Sequence, residues 1–300
     1  KPLTQVQILY RAPFLTLGGD NMPSASEFTS LVRLLDDESE TVRSAISKQL
    51  LEYEDDLPAY ISQLDPVPSP AHFALMNRLL REAKCETLSD HWDDILTEND
   101  PNVRLEQALG LLSDYLEGSR LRSGQVTQEL DELAAHLTSD GSSRSPMSIV
   151  QGLFGNGRLV GNRGNYYAPE NSNLLTILRT GKGNPISLAC VFILIGHRLG
   201  YAIQGCNYPG HFLALIPRAI EPVLIDCFNR GQIVAIDDLL RPDVDLGMDL
   251  QSTLESGAST EIILLRVLRN LERAFHEQDN ERERLVIEFL IERMLVSGTI

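Results

Sequence analysis

Between residues 24 and 138 apolar residues recur every three to four positions, and after residue 200 they fall into short runs broken by turn residues. The first pattern predicts helices and the second predicts strands. Phe28, Leu31, Val32, Leu34 and Leu35 share one helical face with Ser26 placed to cap it, and Val42, Ala45, Ile46 and Leu50 mark a second helix. Leu34-Leu35, Val42-Arg43 and Leu50-Leu51 recur 61 positions later as Ile95-Leu96, Val103-Arg104 and Leu111-Leu112, with acidic residues between the helices each time. This faint repeat resembles HEAT-type helical hairpins, which stack to bury their apolar faces. Pro66, Pro68 and Pro70 mark a loop between helices, and helical spacing continues through residues 105–116 and 126–137.

The polar stretch 139–147 separates these helices from a different kind of sequence. Residues 151–172, rich in Gly, Asn and Tyr, form a long loop, and loops of that length in compact domains tend to be functional or mobile. Asn171 or Ser172 can cap a short helix carrying Leu174, Leu175, Ile177 and Leu178, ended by Gly181 and Gly183. Asn184-Pro185 is a strong helix start: the Asn side chain accepts from an orphan N–H, and Pro at the first helical position gives up only an N–H that had no partner. From there to Gly200 almost no polar face remains, so the helix is expected at the centre of a core. Short strands follow at 201–207, 211–216, 223–228 and 232–236, with turns at Pro209-Gly210 and Asn229-Arg230-Gly231. Two last helices span residues 260–294, one presenting Leu264, Leu265, Leu268, Leu271 and Phe275, the other Val286, Phe289, Leu290 and Leu295; they resemble a tetratricopeptide-type hairpin.

Charge narrows the partners. A net charge of −16 repels phosphate backbones, so neither nucleic acid nor an anionic membrane is expected. The longest apolar run, 188–196, is too short to span a bilayer. Cys85, Cys190, Cys206 and Cys227 lack CxxC spacing, which points to a reducing cytoplasm. His72, His91, His136, His197 and His276 form no ligand cluster, and Gly155, Gly157, Gly161 and Gly164 lack the flanking strand and helix of a phosphate loop. No metal and no cofactor are expected.

The strings NSNLLTILRTGKGNPISL (171–188), RLGYAIQGCNYPGHFL (198–213) and LIDCFNRG (224–231) resemble the SirB-type transglutaminase-like family, in which equivalent motifs occur in the same order. The similarity extends from the helices at 105–137 to the final helical pair and leaves residues 24–100 outside it. It implies an α+β fold: a papain/transglutaminase-like core, with a buried central helix on a small antiparallel sheet, flanked by mainly helical regions. It also implies a Cys-His-Asp site, onto which His211 and Asp226 map. Alternation along two adjacent strands allows their side chains to meet. Counting from Gly183, or back from Leu199-Gly200, places Pro185 where the nucleophilic cysteine would stand.

Substitute nucleophiles are poor. Cys190 is turned away along the helix and Cys227 points to the other side of its strand. Cys206 could approach His211 across the turn and is the tentative catalytic thiol; Ser187 offers a hydroxyl or a second cap bond. The expected organisation is an arm (1–23), a HEAT-like region (24–100), a helical lead-in (101–138), a linker (139–147), the transglutaminase-like core (148–240) and a helical hairpin (241–300). The favoured function is non-catalytic binding of a protein or peptide in a groove lined by His211, Asp226, Asn184, Pro185, Ser187, the 155–170 loop with Tyr166 and Tyr167, and Tyr208. A peptidase, amidase or acyltransferase using His211 and Asp226, or a purely structural scaffold, are the competing readings, and the oligomeric state stays open.

Overall fold

The structure, a computed structural model, describes residues 24–53, 56–118, 124–139, 145–208, 210–239 and 257–296. The expected arm 1–23, most of the linker, Pro209 and the opening of the 241–300 region lie outside the described residues. The chain divides into two compact units, residues 1–87 and 88–300.

The first unit is helical. Helices α1 (Ala25–Arg33), α2 (Glu40–Glu52) and α3 (Leu57–Ser62) and the start of α4 (Pro70–Leu96) carry its core. Phe28, Tyr53 and Tyr60 pack in it in tilted and edge-on pairs with ring centroids 4.9–5.4 Å apart. The cap of α1 is Ser24, not Ser26: its hydroxyl accepts from Glu27 N–H while the Glu27 carboxylate accepts from Ser24 N–H.

In the second unit, α5 (Pro101–Glu117), α6 (Gln125–Thr138), the short α7 (Pro146–Val150) and α8 (Leu174–Thr180) surround α9 (Pro185–Arg198). Every residue of α9 from Pro185 to Gly196 is buried, as the missing polar face predicts. At its exit, Arg198 makes two hydrogen bonds to the Glu106 carboxylate at 2.6 and 2.8 Å and one to Asp131 at 2.7 Å. Two short strands, β1 (Val160–Gly161) and β2 (Lys182–Gly183), pair in parallel beside its N-terminus.

The main sheet is antiparallel in the order β3 (Gln204–Cys206), β4 (Leu213–Ile216), β5 (Val223–Asp226), β6 (Gln232–Val234). Ala214 pairs with Ile225 and both enter the core around α9; Leu215 pairs with Leu224 and, with Cys206 and Leu213, forms a separate cluster on the opposite face. After α10 (Ile236–Leu239) come α11 (Thr260–Glu277) and α12 (Glu281–Val296). Two of the residues expected on the apolar face of α12, Phe289 and Leu295, are exposed. Ile287, Leu290, Ile291 and Met294, at spacings of three, one and three, are the side chains that pack inward. The fold is α+β, with the central helix on a small antiparallel sheet that the sequence predicts.

Candidate functional site

The N-terminus of α9 is built as capping chemistry. Asn184 Oδ1 accepts from Ser187 N–H at 3.0 Å, its Nδ2 donates to Ser172 Oγ at 2.8 Å, and its own N–H donates to the Asn171 carbonyl. Ser187 enters this cap through its backbone only; its hydroxyl is buried and has no hydrogen-bond partner among the described residues. The cap of α8 is Asn173, because Asn171 and Ser172 lie in the preceding 3-10 turn, where the Asn171 amide donates to the carbonyls of Asn165 and Tyr166. Asn184, Pro185 and Ser187, expected to line a groove, are all buried. Closure of the cap turns them inward, so they do not line an open groove.

His211 lies just before β4 and Asp226 ends β5. Their side chains meet: Nε2–H of the imidazole donates to Asp226 Oδ2 at 2.8 Å. Asn229 completes the carboxylate, its N–H donating to Oδ1 at 3.0 Å and its Nδ2 to Oδ2 at 2.6 Å. Burial pushes the Asp226 pKa up, but the bonds from His211 and Asn229 outweigh it and hold the group below its ordinary value. The imidazole is 30% exposed and its Nδ1 makes no hydrogen bond within the described residues. A buried carboxylate thus orients a solvent-facing imidazole, as a general base or a binding group requires.

No described nucleophile reaches that imidazole. Cys206, the tentative catalytic thiol, has no exposed surface; it packs with Leu213, Leu215 and Leu224, and burial pushes its pKa up to about 11. Cys190 is pushed up to about 12 by the same cause, and Cys227 rises through burial and the nearby Asp226 charge. None is a thiolate at neutral pH. No hydrogen bond joins Cys206 Sγ or Ser187 Oγ to His211, and among the described residues no group of His, Cys, Asp and Glu could hold a metal ion.

Around the pair runs an aromatic and cationic rim that sequence reading caught only in part. Tyr166 and Tyr167 are 46% and 40% exposed and meet edge to face at 5.2 Å. Tyr166 reaches the Phe228 ring at 6.0 Å, and Arg163 lies 5.5 Å over that ring while donating to Asn229 Oδ1. Arg273 sits 4.7 Å over Tyr167. Tyr208 adjoins through its carbonyl, which accepts from His211 N–H at 3.0 Å. Arg163 lies in the 155–170 loop expected at the groove, whereas Asn229, Phe228 and Arg273 are additions. Only Asn229 had a local signal, three residues after an aspartate at the start of a turn.

Residues 124–269 match the family described as Transglutaminase-like superfamily. They form a transglutaminase-like superfamily domain. The sequence is also similar to a UPF0162 protein of Xylella fastidiosa strain Temecula1, 34% identical over 125 residues that cover 40% of this chain and 44% of the relative. UPF0162 protein PA3419 of Pseudomonas aeruginosa is 28% identical over 61% of this chain and 68% of its own length. Mouse F-box only protein 21 is 22% identical over 62% of this chain and 30% of its own. The chain thus spans under half the length of the Xylella relatives it matches. No solved structure matches it. The transglutaminase-like domain runs from α6 into α11, so it contains the His211–Asp226 pair, both tyrosines and Arg163.

A cavity of about 610 Å³ lies at the opposite end of β5, lined by residues 218–223 and 233–237. It is separate from the His–Asp pair. No helix among the described residues is long and apolar enough to cross a membrane.

Proposed function

We propose that this transglutaminase-like domain is a non-catalytic module of the SirB type that binds a protein or peptide through the surface around His211. The observation that carries this reading is an oriented imidazole–carboxylate pair with no reactive nucleophile, since Pro185 stands at the expected position and each thiol of the domain is buried and protonated. Exposed Tyr166 and Tyr167 supply the aromatic surface that protein-binding sites favour. The match to F-box only protein 21 covers only a part of that longer chain, which supports a module carried by different proteins. The helical pairs before and after the domain are read as HEAT-like and tetratricopeptide-like, their place as the cytoplasm from the four free cysteines. The net charge of −16 argues against a nucleic-acid partner.

The test is a peptide array probed with wild type, His211→Gln and Tyr166→Ala, alongside turnover assays on fluorogenic peptide amides. The expected result is selective peptide binding, weakened by both substitutions, with no turnover. Turnover lost in His211→Gln would establish an enzyme. The competing hydrolase reading has one observation in its favour, the unpartnered Ser187 hydroxyl at the start of α9. A fluorophosphonate probe that labels Ser187 would carry it.

A further inference from the structure

In a chain of net charge −16, the rim of the His211 surface carries Arg163 and Arg273, the latter 3.8 Å from the Glu277 carboxylate. Arginines with little exposed side chain elsewhere in this unit are matched by carboxylates: Arg104 by Glu261, Arg198 by Glu106 and Asp131, Arg284 by Glu281 and Glu288. Arg266 is different. Projecting from α11, it is partly buried, and its recorded partners are neutral: Nη1 donates to Asn207 Oδ1 and, at 3.4 Å, to the Tyr208 carbonyl, and its guanidinium lies 5.8 Å from the Phe212 ring centroid. Among the described residues no carboxylate pairs with it. Burial correspondingly pushes its pKa down, opposed by the nearby Tyr166 phenol.

These contacts place Arg266 at the site. The Tyr208 carbonyl that it approaches is the one that receives His211 N–H, and Phe212, under its guanidinium, follows His211 directly. Arg163, also with a neutral hydrogen-bond partner, borders the same surface through Asn229 and Phe228. A partly desolvated guanidinium with no carboxylate partner among the described residues is costly, and an arriving carboxylate would relieve that cost through charge-assisted, bidentate bonds. We propose that the partner is an acidic peptide segment, one of whose carboxylates docks on Arg266 while Tyr166 and Tyr167 hold its neighbouring side chains. A polyanion such as nucleic acid would meet the acidic remainder of the surface, whereas an isolated carboxylate would not.

This inference rests on the binding-module reading, and the experiment separates the two. Paired peptide arrays, identical except that each Asp or Glu becomes Asn or Gln, are probed with wild type, Arg266→Met, Arg266→Lys and Tyr166→Ala, each first confirmed as folded by its thermal transition. Wild type is expected to favour the acidic member of a pair by about tenfold or more. Arg266→Met should erase that preference while amide peptides still bind, Arg266→Lys should keep part of it, and Tyr166→Ala should weaken both members alike. Selective binding with no acidic preference, or a preference unchanged in Arg266→Met, overturns the carboxylate assignment and leaves the binding reading standing. Binding by no peptide overturns both. Inorganic phosphate that abolishes the preference at low concentration would replace the peptide carboxylate with a free oxyanion.

Discussion

Asn184→Ala tests whether the start of α9 is built for structure. The side chain is 5% exposed and performs two tasks, accepting from Ser187 N–H at 3.0 Å and donating to Ser172 Oγ at 2.8 Å. Losing a helix cap costs about 1–2 kcal/mol when the freed N–H is buried, and losing the neutral bond to Ser172 adds roughly 1 kcal/mol. The expected loss is therefore about 2–3 kcal/mol. Asn184→Ser keeps an acceptor at the cap and loses the donor, so it should cost about 1 kcal/mol. Urea unfolding followed by tryptophan fluorescence reads this directly, because the chain's single tryptophan, Trp92, is fully buried in the core that contains α9. A loss below about 0.5 kcal/mol for Asn184→Ala, with an unchanged m-value, would refute the capping account and reopen a chemical role for this helix start.

Gly181 has φ +74°, and an added Cβ would stand 2.2 Å from the Arg158 carbonyl oxygen, so Gly181→Ala should cost roughly 2 kcal/mol or more in the same unfolding assay. Arg198→Met takes the cation from the largely buried Glu106 carboxylate, which keeps the Thr127 hydroxyl, and should lower stability by about 1–3 kcal/mol, with less effect for Asp131→Asn, because Asp131 itself is largely exposed. The folded pKa of Asp226 lies below the ordinary 3.8, so its charged form stabilises the fold above that value and the benefit fades as pH falls through the lower folded value. The stability gap between wild type and Asp226→Asn, measured by thermal melts across pH, should accordingly close on acidification; a gap that widens would contradict the His211–Asp226–Asn229 arrangement.

What could be read from the sequence was local or strictly periodic. Asn184-Pro185 was legible because capping depends on adjacent residues, and the burial of α9 because it has no polar face. The His211–Asp226 meeting followed from alternation on neighbouring strands. Where several cap residues stand together, spacing alone does not choose: Ser24 displaced Ser26 because Glu27 completes its capping box, and Asn173 displaced Asn171 because the latter is bound to the 165–166 backbone. The inward turn of Pro185 and Ser187 was hidden, since burial depends on what the rest of the chain places over them. Arg266 was equally hidden. It reaches Asn207 and Tyr208 from a helix more than fifty positions away, and no local pattern marks such a contact.

The proposed module holds an oriented His–Asp pair without a reactive nucleophile. Wild-type protein treated with iodoacetamide near neutral pH, with the modified residues located by mass spectrometry, tests it most directly. Cys190, Cys206 and Cys227 should each react far more slowly than a free thiol, at rates indifferent to His211→Ala. Rapid alkylation of Cys206 that disappears in His211→Ala would contradict the account and identify a working thiol–imidazole couple.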